Sequence, residues 1–269
     1  MSAAAESPDT PDVSIVIACY NEAPHLEESV LEIVATLDRT RWTAELVFVE
    51  DCSTDATREV LARVIHKHGE RMPMRAILHE RNTGRGRTVT DGIRAARGRV
   101  VGYLDIDLEV HARYIPSLVR AIEEGADAAI AHRVYHVSLT PAFLLRHMLS
   151  RGYRWLSRRM LDLEIMDTEA GFKFFERSKV LPILEECQDP GWFWDTEVMA
   201  LARLHDLKVV EGPCLFLRRG DKRSTLRVIP ATIDYVHQLW SFRRRLQALR
   251  AAKHRVTRAG SGSGTGPGY

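Results

Sequence analysis

The acidic segment at residues 105–109 carries the clearest chemical signal in the sequence. Asp105, Asp107 and Glu109 alternate there with apolar residues, directly after an apolar run at 99–104. If the chain stays extended, this alternation places the three carboxylates on one side. Carboxylate oxygens on a short loop suit Mg²⁺ or Mn²⁺, which keep waters and bind phosphate oxygens of a substrate. The segment therefore predicts a divalent cation site that neutralises a diphosphate leaving group, with a solvated acidic turn as the alternative.

Polar residues also follow two other apolar runs. Residues 20–22 follow the run at 13–19, and Asp51 follows the run at 45–50. In open α/β sheets, ligands bind outside the carboxyl ends of the strands. Acidic groups that converge there repel one another unless a cation or sugar hydroxyls lie among them. The three strand ends therefore predict one ligand site at one edge of the sheet.

The elements that would position these residues alternate between strand and helix. Short β-rich apolar runs predict the strands, and apolar residues at helical spacing predict the helices. Such alternation is typical of an α/β fold with a parallel sheet. The predicted strands lie at 13–19, 45–50, 74–78, 99–104 and 126–131. The predicted helices lie at 26–37, after the N-cap residue types at 53–55 and through Val60, Val64 and Ile65, at 88–96 and at 114–124.

Composition indicates a soluble globular protein of one or two domains. The 269 residues are 45% hydrophobic and 28% charged, with 38 basic and 36 acidic side chains. No run of about 18 apolar residues predicts a membrane-spanning helix, and the N-terminus does not have the pattern of a secretion signal. The four cysteines form no CxxC pair, which argues against a zinc site or a disulfide framework and fits a reducing cytosol.

Gly84 and Gly86 flank Arg85 ahead of a predicted helix, but they do not form a dinucleotide-binding fingerprint. The third glycine is missing, and the segment follows the third strand and not the first. The sequence also contains no P-loop. The glycines more simply allow a close approach of the backbone, with Arg85 or Arg87 near a phosphate.

Several short segments follow one another in a characteristic order. They read SIVIACYNE from 14, LVFVEDCSTDAT from 46, ERNTGRGRTVTDGIRAARG from 80 and VGYLDIDLE from 101, followed by AHR at 131–133, DTEAGFKFF at 167–175, WDTE at 194–197 and residues 219–224. This order resembles the family 2 glycosyltransferases of the GT-A fold. More narrowly, it is similar to dolichyl-phosphate mannosyltransferases and other polyprenyl-phosphate glycosyltransferases. The resemblance implies a Rossmann-like, mostly parallel sheet flanked by helices.

The first four segments imply a site for a nucleotide-diphosphate sugar. The donor-binding positions that the resemblance implies are Ala18, Tyr20, Glu22, Asp51, Asp105 and Ile106. Among them, Asp51 corresponds to the acidic residue that reads the base or the ribose. Asp105 and Asp107 correspond to the metal-binding DxD motif, and Glu109 offers a further oxygen ligand for Mg²⁺ or Mn²⁺.

The later segments imply the acceptor side and a loop that closes over the diphosphate. Arg133 corresponds to an arginine near the phosphate of the acceptor. Arg219, Arg223 and Ser224 resemble the closing loop, in which the two arginines stabilise the leaving group and Ser224 lies on the acceptor side. Asp107 and the other ligands would hold the metal on the diphosphate during the transfer.

The predicted reaction is an inverting transfer of a sugar from a GDP- or UDP-sugar to a polyprenyl or dolichyl phosphate. A phosphate acceptor is already anionic and needs no general base, and Arg133 would orient it. A hydroxyl acceptor would need a base. Asp195 and Glu197 are then the candidates, although both also fit an N-cap and a first-turn acid of a helix.

Two other classes of protein remain as alternatives to an enzyme. The chain could keep the fold and only bind a nucleotide sugar or a lipid phosphate, and donor hydrolysis or transfer would separate the two. A nucleic-acid reader is supported only by the basic C-terminal segment, and the sequence contains no recognised module of that class. We therefore expect no nucleic-acid partner.

Basic residues are concentrated near the C-terminus. Residues 218–258 hold 12 Lys or Arg and 2 Asp or Glu. Amphipathic patterns at 141–163 and 229–250 are typical either of helices in a membrane interface or of helices packed on a core. The first pattern combines an apolar stripe at Leu145, Leu149, Tyr153, Leu156 and Met160 with a basic stripe at Arg151, Arg154 and Arg158.

These patterns predict a cytoplasmic protein bound peripherally to the anionic cytosolic face of a membrane. The predicted organisation is a disordered N-terminus at 1–11, a GT-A domain at 12–228, a basic amphipathic helix at 229–258 and a flexible tail at 259–269.

Overall fold

A seven-stranded sheet forms the centre of the computed structural model, which describes residues 10–135, 141–217 and 228–261. The strands are β1 (Val13–Cys19), β2 (Ala44–Glu50), β3 (Met74–Leu78), β4 (Val100–Asp105), β5 (Ala128–Tyr135), β6 (Phe172–Glu176) and β7 (Val209–Phe216). Their order is β3-β2-β1-β4-β6-β5-β7, and neighbouring strands are parallel except where β6 is a member of the pair. The expected α/β class with a mostly parallel sheet is confirmed.

Strands β1, β2 and β4 lie side by side and are buried almost throughout. Helices cover both faces of the sheet, so these strands are nearly continuous apolar runs. Their ends lie in register, because Cys19 pairs with Glu50 and Ala18 pairs with Asp105. The loops that follow the three strands therefore start next to one another.

Eight helices surround the sheet within the described ranges. They are α1 (Leu26–Leu37), α2 (Thr57–His68), α3 (Arg85–Ala95), α4 (Ile115–Glu123), α5 (Pro141–Leu161), α6 (Arg177–Glu186), α7 (Trp194–Leu204) and α8 (Val228–Ser261). Helices α1, α2 and α4 pack in one hydrophobic cluster, and α3, α5, α6, α7 and α8 pack in a second. Alternate residues of β1 face the two clusters, as Ile15 and Val16 show.

Helix α3 begins three residues before its predicted start at Thr88. Gly84 precedes it with a φ of 92°, and a Cβ at this position would lie 2.5 Å from the carbonyl oxygen of Pro190. Glycine is required here because other residues rarely adopt this φ and no space exists for a side chain. The early start places Arg85 in the first turn of the helix.

Strand β6 has no counterpart among the predicted elements. It runs antiparallel between β4 and β5, with Phe172 opposite Leu104. The Asp105 N–H donates to the carbonyl oxygen of Gly171 over 3.0 Å. Because of this pairing, Lys173 and the chain before it lie beside the end of β4.

Helices α5 and α8 pack on the protein through part of the apolar surface that was expected to face a membrane. Tyr153 and Leu161 of α5 are buried, and the Tyr153 ring lies 5.3 Å from the Tyr235 ring of α8. Leu239 and Leu246 of α8 are also buried. The core-packed alternative is therefore correct for these residues, since tertiary contacts already cover them.

A different set of large apolar side chains on the same two helices is exposed: Met148, Trp155, Val236 and Trp240. Helix α8 continues to Ser261, three residues past the expected helix end at Arg258. Within the described residues, no helix combines the length and the hydropathy needed to span a bilayer.

Candidate active site

Hydrogen bonds between polar side chains and backbone amides join the loops that follow β1 and β2. The Asn21 N–H donates to Ser53 Oγ over 3.0 Å, and the Thr54 N–H donates to Asn21 Oδ1 over 2.8 Å. The Glu22 N–H donates to Thr57 Oγ1 over 2.8 Å. Asn21 has a φ of 57°, a left-handed conformation that asparagine adopts more readily than most residues. The bonded loops form one wall at the carboxyl edge of the sheet.

The residues expected to grip a nucleotide differ in their exposure. Tyr20 is exposed at this edge, and Ala18 and Glu22 are partly buried. Ile106, which was also expected to contact the donor, is buried in the first hydrophobic cluster. Its side chain therefore serves packing, and a contact of Ile106 with the donor stays a prediction.

Asp51 holds the loop in front of α3. Its Oδ1 accepts from the Thr83 N–H over 2.8 Å and from Thr83 Oγ1 over 2.9 Å, and its Oδ2 accepts from the Gly84 N–H over 3.0 Å. His79 Nδ1 lies 2.8 Å from Oδ1. Burial raises the pKa of Asp51, but the bonds from His79, Thr83 and Gly84 outweigh it and lower the pKa overall. A buried carboxylate with these partners positions the loop, and the expected contact between Asp51 and a base or ribose stays a prediction.

The acidic segment at the end of β4 turns instead of staying extended. The Leu108 N–H donates to the Asp105 carbonyl oxygen over 3.1 Å, and Leu108 has a φ of 49°. The turn occurs because β4 ends at Asp105 and the chain must reverse toward α4. The expectation of three carboxylates on one side of an extended chain is therefore wrong.

The three carboxylates expected to hold a metal ion are Asp105, Asp107 and Glu109. Across the described ranges, no group of three or more His, Cys, Asp or Glu side chains is arranged to hold a metal ion. Asp105 and Asp107 nevertheless fit a cation such as Mg²⁺, which usually binds through one or two carboxylates together with waters and phosphate oxygens. The Asp105 side chain is 43% exposed, so it is open to such a ligand.

Arg85 connects Asp105 to a buried carboxylate, Asp195, at the start of α7. It donates to Asp105 Oδ1 from Nε over 3.1 Å and from Nη2 over 2.7 Å, and to Asp195 Oδ2 from Nη1 over 2.5 Å. Lys173 Nζ lies 2.5 Å from Asp195 Oδ1, and the Tyr103 hydroxyl donates to the same oxygen. A compact group thus lies behind the end of β4, and its members are Arg85, Asp195, Lys173 and Tyr103.

The protonation of this group follows from burial and from the charges within it. Burial raises the pKa of Asp195, but Arg85 and Lys173 outweigh it and lower the pKa overall. Burial lowers the pKa of Lys173. Although the Asp105 side chain is partly exposed, desolvation by the protein around it and then the nearby Asp107 and Asp195 raise its pKa against the opposing effect of Arg85. Asp195 is thus an ionised anchor for two cations.

Neither acid expected to serve as a general base is presented to the edge of the sheet. Asp195 is buried and is bonded to Arg85, Lys173 and Tyr103. Glu197 is also buried, and it accepts from the N–H groups of Gln188 and Asp189 and from Arg245 of α8. Both carboxylates lie in the first turn of α7, as the alternative interpretation proposed, although the N-cap residue is Phe193.

A second charged group surrounds Arg133. Its Nε and Nη2 donate to the two oxygens of Asp167 over 2.7 and 2.8 Å, and Arg154 Nη1 lies 3.9 Å from Asp167. Glu169 Oε2 is 3.7 Å from Arg133 Nη2. Burial is the largest effect on Glu169 and Asp167 adds to it, so the pKa of Glu169 rises to about 7 in spite of Arg133 and Arg154. A ligand of Arg133 would share the guanidinium with Asp167.

The predicted closing loop cannot be placed beside these groups, because Arg219, Arg223 and Ser224 lie outside the described residues.

Sequence reasoning singled out neither Tyr103 nor Trp192, and it included Lys173 and Glu169 only within the acceptor-side segment at 167–175. Lys173 did leave a signal, because a lysine inside the apolar run of β6 requires a buried anion. Trp192 lies before α7, and its ring centre is 5.0 Å from the guanidinium carbon of Arg85. No periodicity indicates that contact, since α3 and α7 meet only in the folded chain.

Comparison with known proteins agrees with this geometry. The family model described as Glycosyl transferase family 2 matches residues 14–182. Glycosyltransferase AglD of Haloferax volcanii is 30% identical over 218 residues, which cover 80% of this chain and 34% of that protein. A dolichyl-phosphate beta-glucosyltransferase of Trichomonas vaginalis is 27% identical over 261 residues, which cover 88% of this chain and 73% of that protein. The chain thus spans about a third of the length of AglD.

Solved structures show the same fold. Glucosyl-3-phosphoglycerate synthase from Mycobacterium tuberculosis, crystallised with Mn²⁺, UDP and glucosyl-3-phosphoglycerate, superposes with a TM-score of 0.62. The match covers 86% of this chain and 79% of that chain at 18% identity. Another structure of that synthase contains Mg²⁺ and UDP. The chain therefore belongs to glycosyl transferase family 2 and has the GT-A fold.

Proposed function

We propose that this enzyme transfers glucose, with inversion, from UDP-glucose to a polyprenyl phosphate. Relatives named dolichyl-phosphate beta-glucosyltransferases support the sugar and the acceptor. The UDP in the similar solved structures favours uridine over guanosine. One observation carries the proposal: the two expected bases are buried and already have hydrogen-bond partners. Asp195 accepts from Arg85, and Glu197 accepts from backbone N–H groups. An acceptor that is already anionic needs neither of them.

On the donor side, Asp105 and Asp107 would hold Mg²⁺ or Mn²⁺ against the diphosphate. When bound, the ion supplies Lewis-acid stabilisation of the leaving UDP. Arg85 keeps the Asp105 carboxylate in one orientation, and the joined loops with Tyr20 form the side on which the nucleoside would lie. Glu109, which lies after the turn, would contribute less than expected.

On the acceptor side, Arg133 would bind the lipid phosphate. Its bidentate pairing with Asp167 fixes the plane of the guanidinium, which lowers the entropy cost of binding an anion. Arg219 and Arg223 would add positive charge around the diphosphate, and Ser224 would contact the acceptor. An anionic phosphate oxygen then attacks the sugar carbon without proton abstraction.

One observation favours a second candidate, transfer to a hydroxyl. Glu169 retains 27% exposure of its side chain, and its pKa of about 7 suits a general base near neutral pH. In this alternative Glu169, and not Asp195 or Glu197, would take the proton of the acceptor.

A transfer assay with matched acceptors tests the proposal. Purified protein, Mn²⁺ and radiolabelled UDP-glucose or GDP-mannose are incubated with a polyprenyl phosphate or with the corresponding polyprenol. The proposal expects label from UDP-glucose on the phosphate only, and Glu169→Gln should retain most of the activity. Label on the alcohol, with loss of at least 100-fold in Glu169→Gln, would establish the hydroxyl reaction instead.

We also propose that the enzyme binds peripherally at the anionic cytosolic face of a membrane, where a polyprenyl phosphate would be available. The exposed face of α8 supports this proposal, because Trp240 lies on it beside Arg243 and Arg244. Met148 and Trp155 of α5 supply further exposed apolar surface.

A further inference from the structure

Trp192 combines exposure with closeness to the end of β4. Half of its surface is exposed, and its ring centre lies 5.0 Å from the guanidinium carbon of Arg85. Arg85 Nη2 in turn lies 2.7 Å from Asp105 Oδ1. The indole is therefore within about 9 Å of the Asp105 carboxylate. A hexose joined to a diphosphate at Asp105 would lie at a comparable distance.

Backbone hydrogen bonds fix the loop that carries Trp192. The Gly191 N–H donates to Asp189 Oδ1 over 2.8 Å, and the Pro190 carbonyl oxygen accepts from the Arg87 N–H over 3.1 Å. Glu197 accepts from the Asp189 N–H over 2.8 Å. The loop is thus tied both to α3 and to α7. It therefore fixes the backbone that carries the indole at the rim of the site before any ligand binds, and such preorganisation is typical of a binding residue.

The chemistry of the exposed ring suits a sugar. One face of a pyranose carries C–H bonds, and the electron-rich face of an indole attracts the positive ends of such bonds. Arg85 lies over the Trp192 ring and is itself held by Asp105, so the ring is next to a carboxylate proposed to hold the donor's metal ion. We propose that Trp192 stacks on the hexose of the nucleotide-sugar donor and so contributes to its selection. This inference rests on the proposed function, because it requires a nucleotide sugar at Asp105.

Titration calorimetry with a nucleotide and its sugar derivative isolates the role of the ring. Wild type, Trp192→Ala and Trp192→Phe are titrated in Mn²⁺ with UDP and with UDP-glucose, and with GDP and GDP-mannose in parallel. We expect Trp192→Ala to lower the affinity for UDP-glucose about tenfold and the affinity for UDP less than about twofold. Trp192→Phe should bind UDP-glucose with an affinity between those of wild type and Trp192→Ala. Arg120→Ala is the control, because Arg120 is exposed and pairs with Glu124 on the surface at the end of α4. It should change neither affinity.

The ratio of the two affinities decides the question. If Trp192→Ala weakens UDP and UDP-glucose equally, the ring acts by holding Arg85 and the inference is overturned. Unchanged affinity for both ligands overturns it as well. If wild-type protein binds neither nucleotide in Mn²⁺, the proposed function itself fails, and that result is distinct from both of the others.

Discussion

Arg85 donates two hydrogen bonds to a single oxygen of Asp105, from Nε over 3.1 Å and from Nη2 over 2.7 Å. This contact joins the first turn of α3 to the end of β4. The remaining amino group of Arg85 reaches Asp195, so the guanidinium also ties both elements to α7. The carboxylate proposed to face the donor is therefore oriented by a cation that is itself anchored in the core.

Removing this cation should destabilise the protein. Arg85→Ala leaves the buried Asp195 with Lys173 as its remaining cation, and we expect the free energy of unfolding to fall by about 3 kcal/mol. Arg85→Lys keeps the charge but not the forked geometry, so its loss should be intermediate. Urea unfolding measures both variants.

Arg87→Ala provides the control for Arg85. Arg87 is two residues away and pairs with Asp91 on the surface of the same helix. Its replacement should cost less than about 1 kcal/mol. Equal losses for Arg85→Ala and Arg87→Ala would contradict an anchoring role for Arg85.

Asp107→Asn should remove the metal-dependent part of donor binding. The amide keeps the size of the side chain but loses the negative charge that a divalent cation requires. In Mn²⁺, we expect Asp107→Asn to bind UDP at least tenfold more weakly than wild type does. In EDTA, the two proteins should bind UDP with equal affinity. Glu124→Gln, an exposed acid of the other helix layer, should bind UDP like wild type. Unchanged Mn²⁺ dependence in Asp107→Asn would exclude Asp107 from the metal site.

Glu169 should make stability depend on pH. Its pKa is raised to about 7 in the folded protein, whereas an unfolded glutamate titrates near 4.3, so the folded state binds more protons between these values. Stability due to this group therefore falls as the pH rises from about 4 to 7. Glu169→Gln removes the effect.

The comparison is made by urea unfolding at pH 5 and at pH 8. The free energy of unfolding of Glu169→Gln minus that of wild type should be larger at pH 8 than at pH 5 by about 1 to 3 kcal/mol. A difference that does not change with pH would show that Glu169 titrates normally.

The exposed face of α8 should bind anionic membranes. Each basic residue near an anionic leaflet contributes about 1 kcal/mol, so replacing both Arg243 and Arg244 with Gln should weaken binding roughly 30-fold at low salt. Sedimentation with phosphatidylglycerol vesicles measures this, with phosphatidylcholine vesicles as the lipid control. Arg41→Gln is the protein control, since Arg41 pairs with Glu123 of α4 in the other helix layer. If wild type fails to sediment with the anionic vesicles, the membrane proposal is wrong.

Sequence patterns predicted the parallel half of the fold because its signals are local. A buried parallel strand such as β1 is a nearly continuous apolar run, and the predicted bounds of β1 and β3 match the structure. Strand β6 has the same kind of run but runs antiparallel. The direction of a strand depends on how the long α5 connection returns to the sheet, and no residue within the strand encodes that path.

In the candidate site too, residues with a local signal could be predicted, whereas contacts between distant parts of the chain could not. Asp105 and Asp107 could be found because they end a strand in sequence. Asp195 could be identified as an acid of interest, but its role could not, because Arg85 lies 110 residues before it. Likewise, the sequence could not show that α8 contacts Glu197 through Arg245. Which partner neutralises a buried charge is decided by packing between distant elements.

The central claim is that Asp105 and Asp107 bind a nucleotide sugar through a divalent cation for transfer to a lipid phosphate. It is tested most directly by following radiolabelled glucose from UDP-glucose to polyprenyl phosphate, with purified protein in Mn²⁺ and in EDTA. The account predicts labelled lipid in Mn²⁺, at least a 100-fold loss of rate in EDTA, and the same loss in Asp107→Asn. Transfer at an equal rate in EDTA, or no labelled lipid from either UDP-glucose or GDP-mannose, would contradict it.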